Sequence, residues 1–161
     1  MASLIEKLRS FVYGAKPSTS PTVTKPFLRR ITVQCTVTIP ANTPANASNN
    51  VTFIIDPKVG GVTSYTIPKG QTWNLIDAYI KSSDDVKADG IAKLKLNFFK
   101  DYVILPPLST MLVSNPSRPQ ISPKAWDEQT VISGEFINTV AVGASAVTNT
   151  FYLVFDIYGY E

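Results

Sequence analysis

Hydrophobic and polar residues alternate one by one along most of this chain. In "FLRRITVQCTVTI" (27–39), Ile31, Val33, Cys35, Val37 and Ile39 fall on one side, and Arg30, Thr32, Gln34, Thr36 and Thr38 on the other. A period of two is that of an extended strand with one face buried and one wet. The same reading applies to "VTFIID", "VTSYTI" and "TVISGEFINTVAV". In "IAKLKLNFFK" it turns Ala92, Leu94, Leu96 and Phe98 inward and Lys93, Lys95 and Asn97 outward. In the final "TFYLVFDIYGY", Phe151, Leu153, Phe155 and Ile157 point inward. "TWNLIDAYIK" is apolar on both faces, which predicts a strand covered on both. "YVILPPLSTMLVS" predicts one or two strands bent at Pro106-Pro107, since neither proline can donate to a ladder.

Between these runs lie turn signals. "PANTPANASNN" is a loop, Pro57 with Gly60-Gly61 closes the second strand, and "PKGQ" places Gly70 where a tight turn needs positive φ. "SSDDVKADG" interrupts the middle of the chain, and "NPSRPQISPKAWDEQ" is a loop stiffened by three prolines that lies over an edge or mouth. Gly134 is a candidate bulge. About eight short strands with no helical period in the body predict an all-β, antiparallel, eight-stranded sandwich of the jelly-roll type or a relative of it.

The first 26 residues depart from this pattern. Ser3 and Glu6 form a capping box, and Leu4, Ile5, Leu8, Phe11 and Val12 recur at helical spacing up to Gly14. The expectation is a short amphipathic helix. "GAKPSTSPTVTKP" follows, with Pro17, Pro21 and Pro26, as an extended arm reaching roughly 40 Å. The chain divides into this arm (1–26) and one sandwich domain (27–161). So short a helix is marginal alone, and its five apolar residues need a docking surface. Three covers are open: the open end of its own sandwich, a neighbouring subunit, or a lipid surface favoured by Lys7, Arg9 and Lys16.

Composition narrows the classes. Of 161 residues only 17% are charged, and the net charge is +3 with no basic run longer than Arg29-Arg30. A nucleic-acid footprint needs a basic face or stripe, so no specific nucleic-acid partner is expected. A thinly charged, Thr-rich surface instead suits packing against neighbours. The lone Cys35 excludes an internal disulfide and, in an alternating strand, reads as a buried thiol. The first apolar cluster, broken by Glu6, Lys7 and Arg9, is not a signal peptide, and synthesis in a cytoplasm is expected.

Candidate chemistry is sparse. There is no histidine, which removes Ser-His-Asp and Cys-His catalysis and His-based metal sites. Paired carboxylates for glycoside hydrolysis would come from Asp77, Asp101, Glu128, Glu135 and Asp156, and a hard cation from Asp84, Asp85 and Asp89, but neither set has a diagnostic spacing. No enzyme, cofactor or metal is expected. The aromatics Trp73, Tyr79, Tyr102, Trp126, Tyr152, Tyr158 and Tyr160 carry two readings. Tyr152, Val154, Tyr158 and Tyr160 share the outward face of the last strand, which predicts a subunit interface. A carbohydrate- or receptor-binding module, spike or lectin-like, is the runner-up.

The N-terminal segment and proline-rich tether, followed by strands containing "YTIPKGQTWNLIDAYIK", "LPPLSTMLVSNPSRP" and "TVISGEFINT", resemble the single jelly-roll capsid proteins of icosahedral viruses. The likeness is to those of archaeal viruses and viruses of thermophilic bacteria whose capsids enclose a membrane. It implies a structural virion protein, made in the host cytoplasm, that self-assembles as a homo-oligomer with other capsid proteins. Its arm would tie neighbours together or face the membrane.

Overall fold

The computed structural model describes residues 25–97 and 101–160. In chain order its strands are β1 (Pro26–Ile39), β2 (Ser48–Asn50), β3 (Thr52–Ile54), β4 (Ser64–Thr66) and β5 (Gln71–Tyr79). Then come β6 (Gly90–Leu96), β7 (Asp101–Ile104), β8 (Lys124–Trp126), β9 (Val131–Asn138) and β10 (Val147–Tyr160). Two antiparallel sheets result, ordered β3-β1-β10-β5-β8 and β2-β9-β6-β7, with β4 also pairing β9. They share one apolar core, so the fold is an all-β sandwich. The predicted helix, with Leu4, Ile5, Leu8, Phe11 and Val12, and the arm up to residue 24 lie outside the described residues, as does Phe98, while Pro26, expected to end the arm, opens β1 opposite Tyr160.

The spine of the first sheet is the β1–β10 ladder, unbroken from Pro26 opposite Tyr160 to Ile39 opposite Val147. Both strands keep strict alternation, so Val33, Cys35, Val37 and Ile39 meet Phe151, Leu153, Phe155 and Ile157 in the core. Ala92, Leu94, Leu96, Ile132 and Phe136 face them from the second sheet. Trp73 and Trp126 each lie 5.2 Å from Phe155, ring centroid to ring centroid, giving an aromatic cluster under β5 and β8. Cys35 is fully buried, and burial pushes its thiol pKa up. That is the buried thiol expected.

Ten strands form among the described residues where alternation predicts about eight, and the difference has a local cause. Residues 48–54 switch sheets: β2 pairs β9, then β3 pairs β1. The switch occurs at buried Val51, whose N–H donates to Gly134 O at 3.2 Å. Gly134 is therefore not a bulge. Its pairing with Leu94 continues the β6–β9 ladder without interruption. A Cβ there would meet Val51 Cβ at 2.7 Å, so glycine admits the crossing strand.

The bulge sits instead in β5. The register with β10 shifts between Val154 and Phe155, with Asp77 opposite Val154 and Leu75 opposite Phe155. Ile76 is the extra residue, and Leu75 and Ala78 are the buried positions on either side. This explains the two-sided apolar pattern: Ile76 leaves the core and faces a groove under the loop 113–123. Directly after that loop comes a strand that its prolines concealed, because Lys124–Trp126 pairs β5 at the sheet edge. After Pro106-Pro107 the chain forms a 3-10 turn, Leu108–Thr110, and Leu112 makes an isolated parallel bridge to Ile80 in place of a second strand.

Buried asparagines tie the loops to the sheets. Asn149 Oδ1 accepts from Lys87 N and Ala88 N at 2.7 and 3.1 Å, and its Nδ2 donates to Ala88 O at 2.6 Å. Asn138 Nδ2 donates to Pro44 O and Val140 O, both at 2.8 Å, while its Oδ1 accepts from Asn49. At the opposite end Gly70 has φ +81°, as its turn predicts, and its N–H donates to Glu128.

Candidate functional site

The outer face of the first sheet collects the predicted interface residues. Inward parity is used up by the core, so Tyr152, Val154, Asp156, Tyr158 and Tyr160 of β10 all project outward. From β1, Leu28, Arg30, Thr32 and Gln34 do the same. Register sets their partners: Tyr158 is opposite Leu28, Asp156 opposite Arg30, Val154 opposite Thr32 and Tyr152 opposite Gln34.

These positions form three zones. At the end where the chain enters β1, Leu28, Tyr158 and Tyr160 are 67%, 46% and 65% exposed. Gly159 between the tyrosines lets Phe27 pack beneath them, since a Cβ there would meet Phe27 Cε1 at 2.7 Å. In the middle, Arg30 Nε and Nη2 donate to Asp156 Oδ1 and Oδ2 at 2.8 and 3.1 Å. The bonded, charged Arg30 holds the Asp156 carboxyl below the usual aspartate range. Further along, Tyr152 stacks on Tyr79 with ring centroids 5.3 Å apart, and Lys81 Nζ lies 4.3 Å from the Tyr152 ring centre.

The four residues predicted as an interface thus share a face but not a single patch. Tyr158 and Tyr160 are open to solvent. Tyr152 is half-buried and engaged by Tyr79 and Lys81, and Val154 is half-buried between Thr32 and Asp77. Leu28 was missed, although its parity with Arg30 in the alternating run places it on this face.

The carboxylates considered for catalysis are dispersed and mostly engaged. Arg118 donates to Asp77 Oδ2 at 3.0 Å and to Ala78 O at 3.3 Å, strapping its loop onto the β5 bulge. Lys124 donates to Asp101 at 2.5 Å, joining the edges of the two sheets, and this bond holds the Asp101 carboxyl low. Glu128 accepts from Gly70, and Glu135 is opposite Lys93. A glycosidase acid needs the reverse, a raised pKa beside a second free carboxylate. In the acidic loop, Asp85 closes a capping box with Ser82, and Asp89 accepts from Ser109 N and Oγ. No group of three or more metal-ligating side chains occurs among the described residues.

The aromatic set is equally divided. Trp73 and Trp126 are core residues, and Tyr102 belongs to β7 on the other sheet. No protein-family model matches the chain, and a search of curated proteins finds no match.

Proposed function

We propose that this chain is a structural virion protein that self-assembles into an icosahedral capsid shell of single jelly-roll subunits. The observation that carries the reading is strand order. With β2 to β4 counted as one position, set beside β9 through β2 and β4 and reaching the edge of the first sheet through β3, the ten strands become eight, and apart from that edge the sheets read first-eighth-third-sixth and second-seventh-fourth-fifth. This order supports a jelly-roll reading, in which two Greek keys are wound together.

Self-association is supported by the exposed cluster Leu28, Tyr158 and Tyr160. Apolar and aromatic side chains grouped at one end of a sheet favour burial against another protein surface. The cluster lies where residues 1–25 join β1, so the arm and the cluster serve the same neighbourhood of contacts. On this reading the arm meets a neighbouring subunit or an internal membrane, and the protein resides in the virion after synthesis in the host cytoplasm.

The test is the assembly state of the purified full chain by light scattering and electron microscopy. Rings, shells or other closed oligomers are expected. A monomer that persists at high protein concentration and across salt conditions overturns the proposal.

A further inference from the structure

A second feature of the outer face is a groove of about 390 Å³ over the far end of the first sheet. Its floor is a single transverse row. Ile54 of β3 is opposite Gln34 of β1, Gln34 is opposite Tyr152 of β10, and Tyr152 is opposite Tyr79 of β5. At strand spacings of about 4.8 Å this row is roughly 14 Å long, and from Tyr152, over which the Lys81 ammonium lies, to Ile54 it is about 10 Å, the length of one substituted sugar. Ile55 and Pro57, from the turn after β3, also line it, as does Lys81 just beyond β5.

The groove is chemically graded along that row. Isoleucine and proline carbon lies toward the β3 end. Thr32, Gln34 and the two tyrosines bring hydroxyl and amide groups to the centre, and the Gln34 amide makes no hydrogen bond to another described residue. Lys81 stands at the β5 end, its ammonium over the Tyr152 ring and, among the described residues, in no ion pair with a carboxylate. Among the described residues that line it, none is acidic. A ligand complementary to this gradient has an apolar face, several hydroxyls and one anionic group at its far end.

We propose that this groove binds a carboxylated monosaccharide of the uronic- or sialic-acid class, with its carboxylate on Lys81 and its hydroxyls on Gln34 and Thr32. The ring's C–H face or an N-acyl methyl group lies against Ile54, Ile55 and Pro57. Tyr152 and Tyr79 stack on each other, so they serve as floor and hydroxyl donors. Ionic and neutral hydrogen bonds together, in a shallow open site, match a terminal sugar presented on a surface. The inference is independent of the shell reading, since sugar binding is measured on protein in any assembly state.

The experiment titrates the full chain with glucuronic acid and N-acetylneuraminic acid, with glucose and N-acetylglucosamine as neutral controls and an N-acetyl-aspartyl peptide as an acidic non-sugar. Binding is followed by calorimetry and by shifts of the Ile54 and Ile55 methyl resonances. The acidic sugars are expected to saturate and to exceed the neutral ones by about tenfold in affinity. Lys81→Gln is expected to abolish that preference, and Gln34→Ala to weaken acidic and neutral sugars alike. Both side chains are on the outer face, and an unchanged melting temperature verifies the fold. The proposal is overturned by no saturable acidic-sugar binding at tens of millimolar, by a preference that survives Lys81→Gln, or by equal binding of the aspartyl peptide.

Discussion

Arg30 and Asp156 stand directly opposite each other across the β1–β10 ladder and join through two parallel hydrogen bonds of 2.8 and 3.1 Å. The pair is on the outer face between the exposed Leu28–Tyr158 zone and the Tyr152–Tyr79 stack, so it sets the charge pattern of the surface. It also predicts a pH response with a definite sign. The folded-state pKa of Asp156 is lowered, first by the Arg30 side-chain hydrogen bond and then by its charge. The contribution to stability is therefore full above the ordinary aspartate range, near about 4, and is lost as pH falls below it through the folded value. Arg30→Ala is expected to return the Asp156 carboxyl to the ordinary range in a carbon-detected NMR titration. An unmoved titration refutes the coupling.

Gly134 predicts a packing defect. An added Cβ would lie 2.7 Å from Val51 Cβ and 3.0 Å from Phe53 Cζ, where one strand crosses from sheet to sheet. Gly134→Ala is expected to cost about 1–3 kcal/mol through overpacking, outweighing the backbone entropy it recovers. Urea denaturation measures this, with a lower midpoint at an unchanged slope.

Asn149 predicts a local loosening. Its side chain satisfies Lys87 N, Ala88 N and Ala88 O from a fully buried position. Asn149→Ala strands these groups and is expected to cost about 2–4 kcal/mol, in line with two or more unmet buried polar groups. Hydrogen exchange identifies the mechanism. The Lys87 and Ala88 amides lose protection by more than the global destabilisation accounts for.

The exposed end of the first sheet predicts a separation of folding from assembly. Leu28→Lys together with Tyr158→Lys puts like charges directly opposite each other on a surface that the core does not use. Thermal stability is expected to change by no more than about 1 kcal/mol, the range of ordinary surface changes with a cross-strand repulsion added. Light scattering is expected to show loss of the oligomer. Assembly that survives the double substitution removes this cluster from the interface.

The two-residue period is a local property, and whatever depends on it was legible in the sequence. Inward and outward residues of β1 and β10, the buried Cys35, the positive φ of Gly70 and the shared face of Tyr152, Val154, Tyr158 and Tyr160 all follow from parity and turn chemistry. Which strands lie side by side does not. Pairing and register join residues far apart in sequence, such as Arg30 and Asp156, separated by 126 positions, and they are settled by how the two sheets close on one core. Hence tertiary structure alone decided that Val51 turns the corner between sheets, that Ile76 is squeezed out of the β5 ladder, and that Lys124–Trp126 finds an edge despite the prolines that precede it. It also decided that acids isolated in sequence meet distant cations, and that Leu28 arrives opposite Tyr158. A strand's own residues select its buried face; only its neighbours select what the other face becomes.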